Sequence, residues 1–160
     1  MTEEKPISNF ALSKRIMIGA FGGVLGMLAM DIVIVIEFAF AKLPLSTYLM
    51  LIGSVFGGGI FTGLITHIVF GAFLGAFSCM IITKIKILRI RTVKQGLVIG
   101  LVVGLISIPL GCIPFAMLIR QPILKLISFS SIPHLVWGAV FGLVAGYGFS
   151  SLGNKTEQSL

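Results

Sequence analysis

Charge is what this chain has least of. Of its 160 residues only 11% are Asp, Glu, Lys or Arg, and only five are acidic, whereas a soluble domain carries about a quarter charged residues. That deficit excludes a water-soluble globular fold. Apolar residues make up 57% of the chain, and four times they run past the roughly 18 to 20 residues that cross a hydrocarbon core. Cysteine is scarce too. Cys79 and Cys112 are too few for a disulfide framework and lack metal-ligand spacing, which reads them as small core residues. Also missing are Gly-x-Ser-x-Gly, the P-loop, the Rossmann glycine fingerprint and Cys-x2-Cys, so the sequence points to no enzyme class, no metal and no cofactor.

The charge that remains is unbalanced, at +7. Nucleic acid is a poor explanation, because the aromatics fall inside apolar runs and not between basic residues. Membrane topology explains it better. Lys84, Lys86, Arg89, Arg91 and Lys94 form one dense basic loop; with that loop cytoplasmic, Lys5, Lys14, Arg15 and Lys155 join it, giving nine of the twelve Lys and Arg inside against Lys42, Arg120 and Lys125 outside. The positive-inside rule then predicts a multi-pass protein of the cell membrane with both termini cytoplasmic. The same loop can meet anionic lipid headgroups.

Taken in order, residues 1–13 read as a polar tail. Ile16 to Ala41 is 26 residues, longer than the apolar core of a cleaved signal, about 7 to 15 residues, and reads as a retained helix. The expected crossings are 14–41, 60–83, 95–119 and 133–152 within a domain spanning 14–152, followed by a polar tail at 153–160. Gly57-Gly58-Gly59 splits the stretch from Thr47 to Thr83, which predicts a short outer helix over 47–56, interfacial or re-entrant and covered by protein. Residues 123–131 form its counterpart, with Pro133 opening the fourth crossing. Pro109 and Pro114 should kink or partly unwind the outer half of the third.

Within these helices one motif occurs twice. His67-Ile68-Val69-Phe70-Gly71-Ala72-Phe73-Leu74-Gly75 returns sixty-seven residues later as His134-Leu135-Val136-Trp137-Gly138-Ala139-Val140-Phe141-Gly142. Gly19 and Gly23 overlay, more weakly, on Gly96 and Gly100. The expected architecture is thus an all-α membrane protein of two parallel-repeat hairpins, each with its short outer helix, related by a pseudo-twofold axis along the membrane normal. Glycines four apart bare one helix stripe for close backbone approach, which makes Gly19, Gly23, Gly71, Gly75, Gly96, Gly100, Gly138 and Gly142 the packing residues.

The intramembrane polar residues are the candidate site, because an ionisable group in the bilayer is costly. Asp31 is the one acid deep in a crossing. At 1.5 Å per residue it lies about 15 Å, and His67 about 10 Å, from the outer helix ends, so the two can meet. Glu37 and His134 fall nearer the outer surface and can form a second pair. Three functions compete. The first is a non-enzymatic structural or accessory subunit, or a homo-oligomer, packing on other membrane subunits or on itself. The second is a small proton, ion or solute transporter or channel using Asp31 with His67. The third is a metal-binding subunit, which lacks helical His-x3-His or Glu-x2-His spacing.

The glycine-rich first helix, the Met50-Leu51-Ile52-Gly53 segment, the two His-x2-aromatic-Gly-Ala helices, Lys94-Gln95-Gly96 and the closing Gly142-Leu143-Val144-Ala145-Gly146 together resemble the small four-helix membrane proteins related to the YagU inner-membrane protein. The resemblance runs from about Arg15 to Gly148. It implies the four-helix architecture and brings no activity and no catalytic residue.

Overall fold

The fold is that of a computed structural model, which describes residues 9–44, 46–85, 88–119 and 123–157, and their side chains except at 9–11, 114–115, 118–119, 123–126 and 153–157. Lys86 of the basic loop lies outside the described residues. There are five helices and, among the described residues, no strand: α1 (Asn9–Phe40), α2 (Thr47–Val55), α3 (Ile60–Lys84), α4 (Val93–Ile119) and α5 (Ile123–Glu157). All but α2 are long and apolar enough to cross a membrane. Their outward faces carry exposed residues such as Phe21, Phe40, Phe61 and Met117, as a bilayer-facing surface requires.

Local chemistry sets the ends. The amide of Lys42 donates to the Ala39 carbonyl and that of Leu43 to Phe38, with Lys42 left-handed at φ 54°, which is the Schellman stop that usually uses glycine. The same pattern closes α2, where Gly57 and Gly58 donate to Ser54 and Gly53 and Gly57 takes the left-handed position at φ 72°. At the start of α4 the hydroxyl of Thr92 accepts from the Gln95 amide at 3.2 Å. The Gln95 side chain in turn accepts from the Arg91 amide at 3.0 Å, a variant of the capping box.

The helices that hold the first and last crossings extend beyond them, from Asn9 and to Glu157, while their apolar spans are Leu12–Phe40 and Ile127–Leu152. Two sequence expectations are corrected. Residues 123–131 are not a separate outer helix: α5 is continuous from Ile123 with Pro133 inside it. Proline removes a single donor, and a packed helix tolerates this when the neighbourhood is protein; Pro133 is fully buried. For α4 the helix likewise runs unbroken past Pro109 and Pro114, so its outer half is not unwound. Only the first pair of crossings therefore has its own short helix.

The extensive contacts run α2 on α3, α3 on α1, α1 on α5 and α5 on α4. This is a row, α3–α1–α5–α4. Glycine makes two of its joints: Gly19 and Gly23 of α1 meet Gly75 and Gly71 of α3, and Gly96 and Gly100 of α4 meet Gly142 and Gly138 of α5. At each of these positions an added Cβ would run into facing backbone or a tightly held neighbour. The central joint is different, with Gly22 and Gly26 of α1 receiving Val144 and Trp137 of α5. Two apolar clusters fill the remainder, one around Met27, Met30 and Trp137 and one around Cys79, Ile82 and Phe141. Both cysteines are buried and free.

Backbone cannot move aside as a side chain can. Gly23→Ala should therefore cost about 1–3 kcal/mol, read as a lower unfolding midpoint in mild detergent, while Gly111→Ala, whose added Cβ meets only His134 Nε2 at 3.5 Å, should not lower the midpoint.

Candidate functional site

The row leaves its two end helices, α3 and α4, without extensive contact. In the half of the bundle that bears α2, the space between them is a cavity of about 620 Å³. All five helices contribute to its wall, and the wall is mostly apolar and aromatic, with Phe38, Phe70, Phe129 and Trp137 among its side chains. Its charged or ring-bearing polar members are Glu37, Tyr48, His67 and His134, with the hydroxyls of Thr47, Thr66, Ser107 and Ser130 and the Cys112 thiol beside them. Leu43, Phe56, Phe70 and Leu110 line it and are also exposed. The cavity thus reaches the surface along α3 and α4 as well as beside the connections that flank α2.

Asp31 and His67 meet. His67 Nδ1 lies 2.8 Å from Asp31 Oδ1, with both side chains largely buried. On its other side His67 Nε2 lies 3.0 Å from the Tyr48 hydroxyl, and the two rings sit edge to face at 5.3 Å. A carboxylate beside Nδ1 holds the ring proton there, which makes Nε2 the acceptor and Tyr48 the donor. Burial, with Asp31 adding to it, pushes the Tyr48 phenol well above its ordinary range, so it stays a neutral donor. The contact to Asp31 is close but off-axis, because neither carboxylate oxygen nor Nδ1 completes a directed hydrogen bond. A carboxylate so placed is costly to bury.

His134 behaves differently. Its Nδ1 lies 2.8 Å from the carbonyl of Ser130 and 3.0 Å from that residue's hydroxyl, which is itself 3.0 Å from Cys112 Sγ. A carbonyl only accepts, so Nδ1 donates, and in the neutral ring Nε2 presents a lone pair. The expected second pair is thus corrected: His134 is satisfied four residues back on its own helix and does not turn to Glu37. Glu37 lines the same cavity, and its buried Oε2 has no hydrogen-bond partner.

The two histidines diverge because of what stands four residues before each. Gly63 precedes His67 by one turn, and its bare backbone touches Leu49 and Gly53 of α2. That approach brings Tyr48 within reach of His67. In the second motif the same position is Ser130, whose carbonyl and hydroxyl hold His134. No protein family, curated protein or solved structure matches the chain. Function then rests on the site's own chemistry.

Metal chemistry has little to stand on. Among the described residues no three His, Cys, Asp or Glu side chains are grouped to hold an ion, and Asp31, Glu37, His67 and His134 fall into separate arrangements. Sequence reading passed over Tyr48, Ser130 and Trp137. Trp137 had a signal, since it takes the place of Phe70 in the second motif; its Nε1 donates to the Gly23 carbonyl at 3.2 Å, tying α5 to α1 at the cavity floor.

A double-mutant cycle of Tyr48→Phe with His67→Phe checks the pairing. Unfolding in detergent should give a coupling of about 0.5–1.5 kcal/mol, the worth of one hydrogen bond.

Proposed function

We propose that this chain is a multi-pass membrane protein that takes a lipophilic solute from the bilayer into the cavity between α3 and α4, with Asp31 and His67 as its proton-handling pair. The observation that carries this is the cavity itself. It is of ligand size, it reaches the surface along α3 and α4, and Tyr48 links its wall to a buried acid and imidazole. Tyr48, His67 and Asp31 form a line along which a proton can shift as the cavity fills or empties. This is the small-transporter class, and it needs no enzymatic step.

Other features fit this reading. The basic loop, with Lys84, Arg89, Arg91 and Lys94, favours a cytoplasmic side for itself and for both termini in a cell membrane, with anionic headgroups as its nearest partners. The cavity then opens in the outer half. The matching glycine joints α1–α3 and α4–α5 support two units in parallel orientation, in keeping with the resemblance to small four-helix membrane proteins. The reading as an accessory subunit or homo-oligomer ranks second, because a partner packing through glycine would need a bare glycine stripe. Gly19, Gly23, Gly71, Gly75, Gly96, Gly100, Gly138 and Gly142 are buried against the chain's own helices, leaving no bare stripe of these eight for a partner.

Proton uptake into proteoliposomes, followed with an entrapped pH dye under an imposed gradient, is the test. Wild-type protein should conduct protons and Asp31→Asn should fall to the rate of protein-free liposomes. An unchanged rate in Asp31→Asn would remove this pair from the mechanism.

A further inference from the structure

We propose that the ligand of the cavity is a lipophilic amine bound as its ammonium, with Glu37 as the counter-charge; this rests on the reading of the cavity as a solute site. The inference starts from the polar inventory of the wall. Glu37 contributes a carboxylate whose Oε2 is buried without a hydrogen-bond partner. His134 contributes the Nε2 lone pair, because its Nδ1 is committed to the Ser130 carbonyl. Tyr48 keeps its proton and points it at His67 Nε2, 3.0 Å away, which leaves its oxygen lone pairs as acceptors. These three groups accept hydrogen bonds and offer none; of the hydroxyls that also line the wall, Ser107 donates to the Gly104 carbonyl, Ser130 lies against His134 and Cys112, and Thr47 and Thr66 can donate or accept. A ligand that satisfies Glu37, His134 and Tyr48 must donate.

Charge narrows the choice between donors. Among the described residues lining the cavity there is no Lys or Arg, and Lys42, the described basic residue nearest in sequence to Glu37, is exposed. A carboxylate in a low-dielectric wall is stabilised far more by an opposite charge than by a neutral hydroxyl. The rings reinforce this. Phe38 stands edge-on to Phe129 at 6.1 Å and to Tyr48 at 6.4 Å, so the cavity that Glu37 lines also carries a cluster of three aromatic rings, and aromatic faces attract an ammonium. The rest of the wall takes the ligand's apolar body, which arrives from the bilayer through the gap rimmed by Phe56, Phe70 and Leu110.

The chain carries its own reporter. Trp137 is its single tryptophan and lines the cavity, so energy transfer from it to an anthracene reads occupancy directly. The probes are 9-anthracenemethylamine, 9-anthracenemethanol and 9-anthracenecarboxylate, which share a ring and differ in head group, titrated into protein held in nanodiscs of zwitterionic lipid. The amine should saturate at a concentration at least about tenfold below the alcohol, with the carboxylate weakest. Glu37→Gln should bring the amine to the affinity of the alcohol and leave the alcohol unchanged, and Glu37→Asp should keep the preference. Equal affinity for the three probes, or a preference that survives Glu37→Gln, would overturn the ammonium assignment while leaving the cavity a solute site. Saturable binding of none of them would overturn both.

Discussion

Backbone against backbone at the glycine faces is the contact on which the rest depends. In lipid there is no hydrophobic force to drive helix onto helix, so association relies on close packing and interhelical hydrogen bonds. Glycine supplies the closest packing available, and it does so at the α1–α3 and α4–α5 joints. Those joints are rigid and directional. They use one face of α3 and one of α4, join them to different partners, and put α1 and α5 between them. A row results, and its end helices are left apart. The cavity is the space that the row cannot close.

What fills its wall follows from the same residue. At Gly63 the missing side chain admits α2, and with α2 comes Tyr48 to complete the line through His67 to Asp31. At Ser130, the matching position of the second motif, a hydroxyl and carbonyl hold His134 within its own helix. One atom group at one helical turn thus separates a histidine that couples three helices from a histidine that fixes its own tautomer. The two motifs are alike in sequence and unlike in chemistry.

Much of this was legible in the sequence. Length and hydropathy fixed four crossings, the triple glycine marked the break after α2, and depth arithmetic along ideal helices brought Asp31 to His67. The proline readings failed. A proline costs a helix one hydrogen bond and a local clash; at Pro133 burial against neighbouring helices outweighs that and α5 runs through it, while α4 stays helical past the exposed Pro109 and past Pro114, so neither proline unwinds it. The pairing of Glu37 with His134 failed because depth says nothing of rotation or of a nearer partner on the same helix. The cavity was invisible for a deeper reason: it is a property of which helices do not touch, and no single segment encodes that. Tyr48 belongs to the same class, since its role depends on a glycine fifteen residues away.

The central claim is that the space between α3 and α4 is where a ligand sits. Gly111 tests it most directly, because it lines the cavity and an added Cβ there meets only His134 Nε2, at 3.5 Å, so a larger side chain grows into the void instead of into a helix joint. Binding of a lipophilic anthracene to Gly111→Phe, read by energy transfer from Trp137, is the measurement. The account predicts a folded protein with an unfolding midpoint near wild type and an affinity at least about tenfold weaker. A folded Gly111→Phe that binds as tightly as wild type would contradict it.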